Sequence, residues 1–168
     1  MRIDDINRCD AQRFVELLGG IFEHSPWVAE SVINSRPFAG LPELHAGMVD
    51  VVNAAPRERR LDLLCQHPEL AGKEAEDGSL TEDSKREQAG AGLNQCSREE
   101  LERINRNNRE YSEKFGFPFI IAVTGLDKFA IIAAMERRLG NTPDDEFETA
   151  LGEVEKIALM RLEKLIDV

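Results

Sequence analysis

Eight places along this chain carry the punctuation of a helix start, and no stretch between them alternates as a strand would. Asp10 is placed to cap a helix running to Leu18, with Gly19-Gly20 to stop it. Ser25-Pro26 reads as a cap followed by proline at the first helical position, opening a helix to about Asn34. Pro42 opens a helix to about Asn53. Pro56 opens another to about Gln66, with Leu61, Leu64 and Cys65 on one face, and His67-Pro68 ends it. Gly72 to Ser79 is polar and glycine-bounded, which predicts a surface loop. Thr81 starts a helix with Glu82 and Asp83 in its first turn, where the helix dipole favours negative charge. Ser97-Arg98-Glu99-Glu100 has the form of a capping box and starts a long helix to about Lys114. Asp127 to Leu139 and the stretch opened by Thr142-Pro143 are the last two helices. Only Phe115 to Val123 breaks the pattern: Gly116 and Pro118 predict an extended apolar segment, buried in the core. The expectation is an all-α fold, one helical bundle of about eight helices over residues 1–168.

Composition limits the function. The 168 residues suffice for one domain with a real core. Net charge is −11, which argues against nucleic acid or an anionic membrane as main partner, since both need a basic surface. A small anionic substrate needs only a local cluster of donors. The three cysteines, Cys9, Cys65 and Cys96, include no CxxC pair, as expected of a reduced, intracellular protein. The N-terminal residues have no signal-peptide character, the longest apolar stretch is too short to span a bilayer, and the last residues are not a Ser-Lys-Leu address. A cytoplasmic location is the resulting expectation.

Most enzyme signatures are missing: there is no P-loop, GxGxxG, GxSxG, HExxH or EF-hand loop. The three histidines, His24, His45 and His67, show no ligand spacing, so no metal site is expected. His67 stands where a helix stops against proline. It is either a partner of the helix C-terminus or a general acid, since imidazole titrates near neutral pH. Ser84, Glu87 and Gln88 share one helix face at i, i+3 and i+4, either as a solvated polar face or as a hydroxyl, a carboxylate and an amide for a ligand. The small residues Ala89 to Gly92 leave room for close approach of a ligand or a second helix. Arg161 on the last helix is either part of a surface ion pair or an anion anchor.

Taken in order, GGIFEHSPWVAE (19–30), RPF (36–38), LLCQHPELAG (63–72), LTEDSKREQAGAGL (80–93), NREYSEKFGFPFIIAVTG (108–125) and EVEKIALMRLEKL (153–165) resemble the 2-oxo-4-hydroxy-4-carboxy-5-ureidoimidazoline (OHCU) decarboxylases. The resemblance covers nearly the whole chain. It implies an all-helical, cofactor-free homodimer that decarboxylates a small ureidoimidazoline to (S)-allantoin in urate degradation. It implies His67 of the HP motif as general acid, with Glu87 orienting the substrate. Pro68, Ser84 and Gln88 would line the pocket, and Phe119, Ile120, Ile121, Ala122 and Val123 would contribute main-chain contacts. Arg161 would anchor a carboxylate. The absence of the peroxisomal tail of animal and plant members implies a bacterial-type cytoplasmic enzyme. Two rivals differ by observable features: a helical scaffold would show a broad exposed apolar patch, and a carboxylate-bridged metal enzyme would hold metal.

Overall fold

A computed structural model describes residues 1–168. It contains ten α-helices, one 3-10 turn and no strand. The eight expected helices are all present: α2 (Ala11–Leu18), α3 (Trp27–Val32), α4 (Leu41–Ala54), α5 (Arg57–Cys65), α7 (Glu82–Gly90), α8 (Arg98–Phe115), α9 (Lys128–Arg138) and α10 (Pro143–Leu165). The two additional ones are short, α1 (Ile3–Arg8) and α6 (Lys73–Asp77). No helix is long and apolar enough to cross a membrane. The chain forms two compact units, one of Met1–Gln66 with Glu155–Val168 and the other of His67–Val154.

In the first unit α3 packs on α2 and α4, with Phe14, Leu18, Val28, Val32, Leu44 and Met48 buried. Asp10 caps α2 by accepting from Arg13 N–H at 2.8 Å. Ser25 does not cap α3. Its hydroxyl is buried and donates to the Glu23 carbonyl at 3.0 Å, Pro26 takes the cap position, and residues 33–35 tighten into the 3-10 turn. The buried face of α5 also differs from expectation. Leu63 and Leu64 are buried, whereas Leu61 is 38 % exposed and Cys65 lies at the surface. The stretch between α3 and α4 gets its backbone partners from side chains. Asn7 grips Phe38 from both sides: its amide nitrogen donates to the carbonyl and its oxygen accepts from the N–H, each at 2.8 Å.

The second unit contains α6 to α9 and the first half of α10. The polar stretch after Gly72 is helical rather than a loop. Lys73-Glu74-Ala75-Glu76-Asp77 are mostly strong helix formers, with Glu74 and Glu76 near the positive end of the dipole. Gly78, at φ +75°, closes the turn, and Ser79 N–H donates to Glu74 O at 3.0 Å. Thr81, Ser97 and Asp127 cap α7, α8 and α9 by accepting from the N–H of Ser84, Glu100 and Ala130. Ser97 and Glu100 complete a reciprocal capping box, because Glu100 also accepts from Ser97 N–H at 2.8 Å. Glu100 in addition meets Lys128 Nζ at 2.9 Å, which ties α8 to α9. Edge-on ring contacts fill the core: Tyr111 lies 5.3 Å from Phe119 and 5.8 Å from Phe117, and Phe117 lies 6.1 Å from Phe147.

The Lys128 contact and the capping hydrogen bonds hold the Glu100 carboxyl down from its ordinary 4.5 to about 2. A carboxyl depressed on folding contributes stability that is complete above its unfolded pKa and lost as pH falls through the folded one. Urea unfolding should therefore find Glu100→Gln less stable than the parent near pH 7. The gap should close between about pH 4.5 and about pH 2. A gap independent of pH would exclude this coupling.

Candidate active site

Pro68 keeps α5 from continuing, and the chain after His67 has no regular structure until α6. His67 is 7 % exposed, so its ring is held inside the fold rather than at a solvated helix end. Pro68 is half-buried, and Leu70, Ala71 and Gly72 are buried. A Cβ at Gly72 would stand 2.6 Å from the Glu69 Cβ, so the turn closes only with glycine there. Ala71 adopts φ +48°, a left-handed value that L-residues with a side chain avoid.

Two buried side chains hold this loop. Ala71 N–H donates to Gln88 Oε1 at 2.9 Å, and Asn108 Nδ2 donates to Leu70 O at 3.0 Å. The first bond joins the HPELAG loop to the SxxEQ helix. On α7, Ser84 and Gln88 are both buried one turn apart, and Glu87 beside them is half-buried. The SxxEQ face thus points inward and is no solvated surface. The glycines that follow have a different role from the one expected. A Cβ on Gly90 or Gly92 would meet nothing within 4 Å, so neither marks a close approach. Gly92 serves the chain reversal after α7 through its φ of +78°.

Of the segment expected to be extended, Phe115 to Val123, Phe115 instead ends α8 and Gly116 is its exposed cap, while residues 117–123 lie in neither helix nor strand. Phe117, Phe119, Ile120, Ile121 and Val123 are buried, and Ala122 is half-buried. A network absent from the sequence reading fixes the segment. Arg138 on α9 donates through Nη1 to Ile120 O at 2.7 Å, and its guanidinium lies 4.3 Å from the centre of the Phe119 ring. The same guanidinium donates through Nε to Glu146 Oε1 at 2.6 Å. Tyr111 donates its hydroxyl to Glu146 at 2.5 Å, and Asn141 donates from its amide at 2.9 Å. Glu146 has 0 % exposure and Arg138 6 %. Burial, and then the Glu146 contact, push the Tyr111 phenol far above its ordinary range. A signal for this network does exist in the sequence. Ile131, Met135 and Arg138 share one face at i, i+4 and i+7, and Ile104, Asn108 and Tyr111 do the same, so polar groups stand within apolar stripes.

Arg161 belongs to the first unit and is 4 % exposed. It forms a buried ion pair rather than a surface one, donating to Glu23 Oε2 at 2.7 Å and to Gly20 O at 3.2 Å. Glu23 was not singled out in the sequence, although it stands in the EHSPW motif. Its neighbour His24 has φ +47° and an exposed ring. No three His, Cys, Asp or Glu side chains cluster as a metal ion would need. Beside the His67 loop, a surface groove of about 460 Å³ is lined by Glu69, Lys73, Arg109 and Ser112 among others, and carries charges of both signs. The large apolar side chains that reach solvent are Leu61, Leu101, Phe129 and Val168, too few for the broad face a scaffold would present.

Removing one member of a buried ion pair strands the other charge, at a cost of about 3–5 kcal/mol. Arg138→Met should show that loss in urea unfolding. The double variant Arg138→Met with Glu146→Gln should recover part of it, because no charge is then left unpaired. A single-variant cost under about 1 kcal/mol, the range of an exposed pair, would contradict the buried pairing.

Three comparisons bear on what this arrangement belongs to. The family model described as OHCU decarboxylase matches residues 7–163. A 2-oxo-4-hydroxy-4-carboxy-5-ureidoimidazoline decarboxylase of Haloferax volcanii is 46 % identical over 96 % of this chain and 94 % of its own length. Among solved structures, (S)-allantoin synthase superposes with a TM-score of 0.81 at 33 % identity, over 99 % of this chain and 55 % of that one. An OHCU decarboxylase crystallised in the presence of (S)-allantoin shares the fold, with a TM-score of 0.73 at 24 % identity, over 94 % of this chain and 98 % of that one. With a match over this much of its length, the chain belongs to the OHCU decarboxylase family.

Proposed function

We propose that this chain decarboxylates OHCU to (S)-allantoin in urate degradation, with His67 as general acid and Glu87 orienting the substrate. The observation that carries the reaction is the family match over residues 7–163. The solved relative named (S)-allantoin synthase supports the product and its hand. The site assignment draws support from the bond between Ala71 and Gln88, which brings the HPELAG loop to the SxxEQ helix.

The substrate carries a carboxylate and a hydroxyl on one ring carbon, beside a C=N bond. When the bond to the carboxylate breaks, CO2 leaves and the electron pair passes into that imine. The substrate is its own electron sink, so the residues have three tasks: orient the leaving carboxylate, stabilise the displaced charge, and return one proton to carbon. A buried imidazole at position 67 suits the last task, worth about 10²–10⁴-fold in rate for general acid work of this kind. Glu87 would hold the substrate hydroxyl. Ser84 and Gln88 would bind ring and ureido polar groups, Pro68 would line the pocket, and main-chain groups of residues 119–123 would meet the ring amide. Arg161 would anchor a carboxylate. Water can protonate a planar intermediate from either face and gives a racemate, whereas one fixed acid gives one hand.

Circular dichroism of a urate oxidase and hydrolase mixture should show a faster rise of the (S)-allantoin signal when the chain is added. His67→Ala should lose about 10²-fold or more of the turnover while its far-ultraviolet spectrum is unchanged. Glu87→Gln should also lose turnover with its helix intact. A folded His67→Ala protein with parental turnover, or a racemic product from the parent, would end this reading.

A further inference from the structure

Leu70 and Ala71 share one peptide group, and two side-chain amides hold it from opposite edges. Asn108 Nδ2 donates to its oxygen at 3.0 Å, and Gln88 Oε1 accepts from its N–H at 2.9 Å. The C=O and N–H of a trans peptide point in opposite directions, so only one orientation of the plane satisfies both amides. Gln88 is 5 % exposed and Asn108 2 %, so water does not compete for either bond. The clamped plane leads directly into Ala71 at φ +48°, a conformation that relaxes elsewhere unless something holds it.

His67 stands three residues upstream of Leu70, and the Pro68 ring locks one of the dihedrals between them. We propose that Asn108 is a positioning residue for His67: with Gln88 it fixes the 70–71 peptide, and that peptide fixes where the imidazole stands. The inference deepens the function proposed above and rests on it for the role of His67. It also sets the polarity of Gln88. The oxygen of that amide is engaged by backbone, so the group left for a ligand is the donor Nε2, which has no hydrogen-bond partner within the protein. The substrate atom that meets Gln88 is then an acceptor, a carbonyl or carboxylate oxygen.

Asn108→Leu tests the clamp with almost no change of shape, because its side chain cannot donate to Leu70 O. Three quantities are read on the full chain: the thermal midpoint, kcat and KM on OHCU, and the NMR resonances of the histidine ring C–H groups. The folded variant should show displaced His67 resonances, with those of His24 and His45 in place. Its kcat should fall about tenfold to 10²-fold, the loss expected when an acting group is misplaced by about an ångström, and KM should change much less. A role in packing alone would lower the midpoint and leave the ring resonances and kcat where they were. Asn108→Ser removes the reach to Leu70 O and supplies the same readouts if the leucine variant does not fold. Either folded variant with parental His67 resonances overturns the proposal. So does parental kcat in a folded variant when His67→Ala is inactive. The resonances report on the clamp without reference to turnover, so they also separate its failure from a failure of the functional reading, which shows instead as an active His67→Ala protein.

Discussion

Glu146 has no exposed surface, and a carboxylate so placed is tolerable only because Arg138, Tyr111 and Asn141 all reach it. These partners come from α9, α8 and the turn before α10, so one carboxylate fixes three parts of the unit at once. The guanidinium that neutralises it reaches on to the carbonyl of Ile120 and lies over the Phe119 ring. Apolar side chains of similar volume could fill the same space at similar stability. They could not dictate which backbone group faces inward, and the charged network does. The extended segment takes its conformation from this network, since it has neither helix nor strand of its own.

The same device recurs at smaller scale. In a fold without sheets, any buried stretch that is not helical must find partners for its N–H and C=O groups among side chains. Asn7 does this for Phe38, Gln88 and Asn108 do it for the 70–71 peptide, and Arg138 does it for Ile120. All four side chains sit on helices, and Asn108 and Arg138 stand in stripes that are otherwise apolar. The fold places its irregular segments by bonds from its regular ones, and the motifs of the family, HPELAG and FGFPFI, are the irregular segments.

What the sequence made legible follows the range of the interaction involved. Asp10 and Ser97 cap as read, because a cap is settled within four residues, and Thr81 and Asp127, legible only as helix starts, cap as well. Ser25 does not cap: α3 begins one residue later, with Pro26 at the cap position, and the Ser25 hydroxyl turns to donate to the Glu23 carbonyl. The helix α6 is hidden in the sequence by its glycine boundaries, which resemble those of a loop, although the residues between them favour a helix. On α5, two apolar stripes lie side by side in the sequence, and which of them is buried is a matter of 100° that only the neighbouring helices decide. The all-α class, the eight principal helices and the family were legible; Asn108, Arg138, Glu146 and Glu23 were not. Their partners lie 5 to 138 residues away in the chain, and periodicity shows only that a polar group stands in an apolar stripe.

The loop that carries His67 borrows its order from others. Its only regular feature is a turn closed by Gly72, and its bonds are anchored in α7 and α8. A segment held in this way has no stability of its own to lose. It cannot open as a separate flap while the two helices stand, because opening would strand two buried amides at once. The loop and the helices therefore behave as one cooperative block. Heat or denaturant should not pass through a state in which the fold persists and this loop alone has melted.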